Sequence, residues 1–131
     1  MNSHKVHFVI DLTILEGKFE DFAATVKLMT DDTAKEPGAL EYEWFLSNDR
    51  GRCRLLETYA NEDAVQKHLA GAVVQKLVPK LLTFATISRF EVYGIPDAQS
   101  AAALTSLGAE IYPHWHGLGS RQSSTPSSGA R

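Results

Sequence analysis

An apolar residue at every second position near the start of the chain restricts its fold more than any other feature. Between residues 5 and 14 every second position is apolar, and a period of two predicts a β-strand with one apolar face. From residue 18 to 35 the apolar spacing changes to three and four, which predicts an amphipathic helix. The motif Glu36-Pro37-Gly38 ends this helix, because the residue before a proline leaves the helical region. The chain therefore starts with a strand whose apolar face a helix can cover.

The remaining sequence continues these patterns in an order that indicates the fold. Asn61 is suited to cap a helix, and Pro79 interrupts a later helical stretch. The predicted elements are strands at 39–47, 52–59 and 83–93, helices at 62–70, 72–82 and 98–107, and an extended segment at 109–119. The order β-α-β-β-α-β is that of the ferredoxin-like α+β fold, in which one antiparallel sheet carries both helices on one face.

The other face of this sheet needs a cover of its own. Its predicted positions include Val9, Phe45, Leu56, Ile87 and Tyr93, which are too apolar to lie together in water. A second copy of the chain is the simplest cover. We therefore predict a homodimer in which sheet packs on sheet.

Size and charge exclude several classes of protein. The length of 131 residues fits one domain. The net charge of −3 lacks the basic excess that nucleic-acid binding needs. The single cysteine, Cys53, cannot form a disulfide within the chain. No apolar run reaches the roughly 18 residues of a membrane span, and the first residues do not resemble a signal peptide, so we expect a cytoplasmic protein. We expect residues 1–121 to form the domain, with a C-terminal helix and arm, and residues 122–131 to be a disordered tail.

Several short motifs resemble those of one known family. Residues 57–64, ETYANEDA, followed by His68, resemble the E-x-Y-x-[ND]-x-x-A-x-x-x-H signature of the antibiotic biosynthesis monooxygenase (ABM) family. The EPG sequence at 36–38 and residues 17–22 resemble two further motifs, and the similarity covers about residues 6–121. The resemblance implies a dimeric α+β barrel. It leaves the activity open, because the family and its relatives include cofactor-independent oxygenases of anthrone-type polyketides and quinols, haem-degrading enzymes, isomerases and proteins without known activity.

His68 is the residue best suited to acid–base chemistry. It falls on the inward stripe of the predicted helix at 62–70, beside Val65 and Leu69, so its imidazole should face the sheet. An imidazole titrates near neutral pH and is a common general base. The alternative is a core histidine that is hydrogen-bonded to a tyrosine or a glutamate and has no catalytic role.

Glu57 and Tyr59 accompany His68 as candidate catalytic residues. They lie two residues apart on one strand, so their side chains share a face. A half-buried Glu57 needs a polar partner, and it can orient His68 or bind a substrate hydroxyl. The alternative is a structural hydrogen bond that ties the hairpin to the helix.

Four aromatic residues are candidates for substrate binding, namely Trp44, Tyr42, Phe22 and Phe84. Trp44 and Tyr42 share a face of the second strand and can enclose a flat aromatic substrate by offset stacking. The alternative is ordinary core packing, which is the favoured interpretation for Tyr42. Phe22 and Phe84 suit either a pocket wall or the core.

The sequence offers little to hold a cofactor. His114 and His116 share a face of the extended segment, but no acidic residue or cysteine completes a recognisable metal-ligand spacing. Haem would need an axial ligand such as His68 or one of this pair, and no feature selects for haem. We therefore expect neither a metal ion nor an organic cofactor.

These residue types suit oxygenation without a cofactor. A phenol, enol or quinol gives electrons to oxygen more readily as its anion, so a site needs a base, a few donors such as Tyr59 or Trp44, and an apolar pocket. We therefore predict a small monooxygenase of a phenolic, quinol or polyketide-like aromatic substrate, with His68 as base and molecular oxygen as oxidant. The alternatives are a non-oxidative isomerase or cyclase, and a stress-response dimer that binds a small aromatic molecule without changing it.

Overall fold

The computed structural model describes residues 4–94 and 96–118. Its strands are β1 (Val6–Ile14), β2 (Ala39–Leu46), β3 (Arg52–Tyr59), β4 (Ala85–Tyr93) and β5 (Glu110–Tyr112), and its helices are α1 (Phe19–Thr33), α2 (Glu62–Ala70), α3 (Val78–Leu81) and α4 (Ala98–Ser106). The strands lie in the order β2-β3-β1-β4-β5, and neighbours are antiparallel except for β4 and β5, which are parallel. The predicted ferredoxin-like α+β fold is confirmed, with a short strand added at one edge. The predicted tail at 122–131 lies outside the described residues.

Strand β1 occupies the centre of the sheet, and the helices cover its alternating apolar face. Phe8 and Leu12 of this face are buried. Phe8 belongs to a cluster with Val65 of α2, and Leu12 to one with Phe22 of α1. Each large side chain buried in this way contributes about 1.5–3 kcal/mol to stability. In residues 4–94 and 96–118, no helix has the length and apolar character needed to cross a bilayer.

The helical stretch predicted at 72–82, with its interruption at Pro79, divides in the structure into two kinds of helix. Val73–Leu77 forms a π-helical turn, and Val78–Leu81 alone is α-helical, with Pro79 in its first turn. Proline is tolerated there because first-turn amides have no partner within a helix. Such π-helical turns are frequent at functional sites.

A β-bulge in β4 changes the face on which its first residues lie. Asp11 of β1 is opposite Arg89, but the next residue, Leu12, is opposite Ile87, so Ser88 is an extra residue. Ile87 therefore packs against the core beneath the helices, although alternation alone places it on the outer face with Tyr93. The prediction that Ile87 lies on the outer face is wrong for this reason.

The outer face of the sheet combines exposed apolar residues with a charged network. Phe45 and Leu56 are 54% and 37% exposed. Arg54 donates to both carboxylate oxygens of Asp11, at 2.6 and 3.0 Å, and Arg89 lies 3.7 Å from the same group. The hydrogen bonds from Arg54 hold the pKa of Asp11 below its usual value. Asp11, Arg54 and Arg89 are thus paired within one chain, while Phe45 and Leu56 remain in contact with solvent.

Candidate active site

A cavity of about 90 Å³ lies between the sheet and the helices, and its wall is almost entirely apolar. The apolar residues that line it include Phe8, Ile10, Leu12, Leu55, Leu69, Val74, Val78, Leu81, Leu82, Ile87, Phe90, Leu104 and Leu107. Among the described residues, the side chains that bring polar nitrogen or oxygen atoms to this wall are Tyr42, Glu57 and His68. The cavity is therefore a small apolar chamber, and the polar groups in its wall are the phenol of Tyr42, the carboxyl group of Glu57 and the imidazole of His68.

Helix α2 directs His68 at this cavity. The side chain of Asn61 accepts a hydrogen bond from the Ala64 amide at 2.9 Å, and so caps the helix as the sequence predicts. The buried residues of α2 are Ala64, Val65 and His68, and His68 is only 3% exposed. The imidazole thus faces the sheet, as the helical periodicity predicts.

Glu36 is the nearest polar partner of His68, and sequence reasoning does not select it. Its carboxylate oxygens lie 2.9 and 3.2 Å from Nδ1 of His68. The approach depends on Gly38, because a Cβ atom at that position would lie 2.4 Å from Cβ of Ala64. Ala64 precedes His68 by about one helical turn, so this close packing brings Glu36 to the imidazole. The signal in the sequence is the Glu36-Pro37-Gly38 motif, which local rules explain only as a helix end.

Glu57 approaches the other nitrogen of the ring. Its Oε1 atom lies 3.7 Å from Nε2 of His68, which is too far for a hydrogen bond. The hydroxyl of Tyr59 donates to the same oxygen of Glu57. Burial raises the pKa of Glu57, and burial together with the Glu57 carboxylate raises the pKa of Tyr59. Glu57 lines the cavity, whereas Tyr59 is fully buried in the core and contacts the site through its hydrogen bond to Glu57.

The four residues predicted to bind substrate separate into two groups. Tyr42 lines the cavity, and its ring meets the imidazole edge-on with 6.1 Å between centroids. Burial raises the pKa of Tyr42. Trp44 instead donates its indole N–H to Thr30 at 3.0 Å and packs edge-on against Phe22. Phe22 and the half-buried Phe84 belong to the core cluster, so these two and Trp44 lie outside the cavity wall.

The histidines of the C-terminal arm do not join this site. His114 stacks on His4 with 6.5 Å between ring centroids, and neither residue lines the cavity. The neighbouring Trp115 is 92% exposed. Over the described ranges 4–94 and 96–118, no group of three or more histidine, cysteine, aspartate or glutamate side chains is arranged to hold a metal ion.

Solved structures of several bacterial proteins share this fold. MupZ from Pseudomonas fluorescens is 23% identical with a TM-score of 0.69, and the match covers 95% of this chain and 97% of MupZ. SnoaB from Streptomyces nogalater, a cofactor-independent oxygenase, is 17% identical with a TM-score of 0.61, covering 72% of this chain and 95% of SnoaB. Rv0793 from Mycobacterium tuberculosis is 19% identical with a TM-score of 0.63, covering 72% of this chain and 97% of Rv0793.

A match to a protein-family model identifies the relationship of this chain more specifically than a shared fold does. A search of curated proteins found no match. The family model of antibiotic biosynthesis monooxygenases matches residues 6–80, which is more than half of the chain and includes Glu36, Glu57 and His68. The match thus spans the polar side of the cavity, while α4 and the residues Leu104 and Leu107 lie beyond it. The chain belongs to the antibiotic biosynthesis monooxygenase family.

Proposed function

We propose that the protein is a small cofactor-independent monooxygenase that acts on a phenolic, quinol or polyketide-like aromatic substrate. The observation that carries this proposal is the placement of His68, which adjoins an apolar cavity while a carboxylate occupies its Nδ1 side. A buried imidazole beside an apolar chamber can remove a proton where water does not compete. Membership of the family and the likeness in fold to SnoaB, a cofactor-independent oxygenase, support the proposal.

The proposed reaction begins with His68. Its Nε2 atom takes a proton from an activated C–H or O–H group of the substrate. The resulting anion transfers one electron to molecular oxygen, and the two radicals combine to a peroxide anion. That anion takes the proton back from the imidazolium, and loss of water from the hydroperoxide leaves a ketone or quinone. One oxygen atom enters the product, the other leaves as water, and the substrate supplies the electrons.

Tyr42 and Glu57 suit the binding of the anion that forms. Burial raises the pKa of both side chains, which favours their protonated, hydrogen-bond-donating forms. Fixed donors beside a developing anion stabilise it most strongly in an apolar, water-excluding site. Tyr59 contributes through its hydrogen bond to Glu57.

The size of the cavity restricts how a substrate enters. A cavity of about 150 Å³ holds benzene in another protein, whereas this one measures about 90 Å³. An aromatic substrate therefore requires movement of the wall. Leu82 and Leu107 line the cavity and are 37% and 41% exposed, so they separate it from solvent. We propose that substrate enters between them.

We also propose that the protein acts as a homodimer. The exposed side chains of Phe45 and Leu56 on the outer face of the sheet support a partner there, because the neighbouring charges of Asp11, Arg54 and Arg89 are already paired within one chain. A cytoplasmic location remains a prediction from the sequence.

Oxygen consumption by metal-stripped, flavin-free protein tests the proposed activity. A panel of quinols, anthrones and flavonols is compared with the rate of autoxidation. We expect uptake with at least one class, reduced about 10²–10⁴-fold in His68→Ala, which removes the base. His116→Ala, at an exposed histidine of the C-terminal segment that lies outside the cavity wall, is the matched control and should retain wild-type uptake. Turnover that persists in His68→Ala with an unchanged circular dichroism spectrum refutes the role of His68.

A non-oxidative isomerase or cyclase is the second candidate, and one observation favours it. Glu57, whose pKa is raised by burial, and His68, paired with Glu36, place an acid and a base at one cavity. Such a pair can move a proton between two atoms of a substrate without oxygen. Turnover under argon, with product of unchanged mass, would support this activity over oxygenation. Ligand-dependent quenching of tryptophan fluorescence with no turnover would indicate binding alone.

A further inference from the structure

We propose that Glu36 is the positioning residue of this site: its carboxylate holds the hydrogen of His68 on Nδ1 and leaves the lone pair of Nε2 for the cavity side. This inference rests on the proposed function in that Nε2 is the base. Glu36 is not among the residues that line the cavity, so it acts through His68.

The hydrogen-bond geometry supports this tautomer. Both oxygens of Glu36 lie within 3.2 Å of Nδ1, and a carboxylate only accepts hydrogen bonds, so Nδ1 carries the hydrogen. A neutral imidazole carries one hydrogen, and Nε2 is then the acceptor. Nε2 faces Oε1 of Glu57 at 3.7 Å.

The contact is built into the fold rather than left to a mobile surface side chain. The amide of Glu36 donates to the Thr33 carbonyl at the end of α1, and the carbonyl of Glu36 accepts from the Ala39 amide at the start of β2. Gly38 packs directly on Ala64 of α2, and its carbonyl accepts a hydrogen bond from the Ala60 amide at 2.9 Å. The backbone that carries Glu36 is therefore fixed against the helix that carries His68.

The arrangement also stabilises the charge that catalysis creates. When Nε2 accepts the substrate proton, the imidazolium donates from Nδ1 to the negative Glu36. The side chain of His68 is 4% exposed and that of Glu36 is 23% exposed, so water screens this attraction only partly. The proton returns from Nε2 to the peroxide anion in the proposed reaction, and Nδ1 keeps its hydrogen on the Glu36 side throughout. Its role is thus to orient the base and stabilise its protonated form.

Nitrogen-15 NMR of histidine-labelled protein tests the inference without a substrate. The His68 signals are assigned by their loss in His68→Ala. We expect the neutral ring of the wild type to carry its hydrogen on Nδ1, and expect Glu36→Ala to shift the population towards the Nε2–H form. Glu36→Gln should largely retain the wild-type tautomer, because its amide oxygen still accepts from Nδ1. Glu62→Gln, at an exposed site on the same helix, should leave the spectrum unchanged.

A second pair of variants moves Glu36 without altering its charge. Gly38→Ala adds a methyl group that clashes with Ala64, so it should separate the strand from α2 and reproduce the tautomer change of Glu36→Ala. Adding Ala64→Gly to Gly38→Ala removes the clash and should restore the wild-type spectrum. An Nε2–H form in the wild type, or a tautomer that Glu36→Ala leaves unchanged, overturns the inference.

Oxygen uptake separates this inference from the proposed function. If both hold, Glu36→Ala lowers uptake at least about tenfold while Glu36→Gln recovers part of it. A wild type without uptake whose tautomer still responds to Glu36→Ala refutes the oxygenase and keeps the positioning role. Uptake that depends on His68 but is unaffected by Glu36→Ala refutes the positioning role alone.

Discussion

Oε1 of Glu57 lies 3.7 Å from Nε2 of His68, and both side chains are 4% exposed. Water therefore contributes little to stabilising a charge on either group. The hydroxyl of Tyr59 donates to the same oxygen and keeps the carboxyl group turned towards the imidazole.

Glu57→Gln is expected to flatten the pH dependence of the free energy of unfolding. Burial raises the pKa of Glu57 above its usual 4.5, so the folded state binds this proton more tightly than the unfolded state. The stabilising contribution is complete below about pH 4.5 and is lost as the pH rises through the raised folded-state pKa. Urea unfolding over a pH series measures the difference, with Glu62→Gln as control. Parallel curves for the wild type and Glu57→Gln would contradict the raised pKa.

Tyr59→Phe is expected to destabilise the fold more than Tyr93→Phe. Each hydroxyl donates to the glutamate two residues before it, Glu57 and Glu91 respectively. The first pair is buried, so losing the donor leaves a carboxyl oxygen unsatisfied at a cost of roughly 1–3 kcal/mol. The second pair lies on the outer face, where water can replace the hydroxyl. Chemical denaturation of both variants measures the difference, and equal losses would show that burial adds nothing to the Tyr59 hydrogen bond.

Leu107→Ala is expected to admit larger aromatic molecules to the cavity. Leu107 separates the cavity from solvent, and its truncation enlarges the space beside Leu104. We expect 1-naphthol to bind about tenfold more tightly to the variant than to the wild type, with a smaller change for phenol. Tryptophan fluorescence titration measures both dissociation constants. Leu28→Ala, an exposed leucine on α1 outside the cavity, is the control, and unchanged naphthol binding in Leu107→Ala would place the entrance elsewhere.

Leu56→Glu is expected to dissociate the proposed homodimer. Leu56 lies on the outer face of β3 beside Phe45, and a charge buried there without a partner is strongly unfavourable. Analytical ultracentrifugation should show a dimer for the wild type and a monomer for Leu56→Glu. Leu28→Glu should remain a dimer because α1 covers the opposite face. A wild type that sediments as a monomer refutes the dimer itself.

The periodicity of apolar residues predicted the strands and helices correctly where a local sequence pattern alone determines the secondary structure. The alternation at 5–14 predicts β1, and the Asn61 cap with its apolar stripe predicts α2 from Glu62–Ala70. Ile87 shows where local patterns fail. Its orientation depends on the extra residue Ser88 in the pairing of β4 with β1, and a bulge belongs to the register between two strands rather than to either sequence.

The features of the candidate site likewise fall into two groups, those that local sequence patterns predict and those that depend on tertiary packing. The sequence by itself determined that His68 faces inward and that Glu57 and Tyr59 share a face, because helix and strand periods act over a few residues. The tertiary structure alone decided that Glu36, 32 residues from His68, reaches its Nδ1 atom, since this contact needs the close packing of Gly38 on Ala64. It also decided that Tyr42 lines the cavity, whereas Trp44 lies outside the cavity wall and donates a hydrogen bond to Thr30. Such choices depend on distances between separate elements, and those distances exist only once the chain has folded.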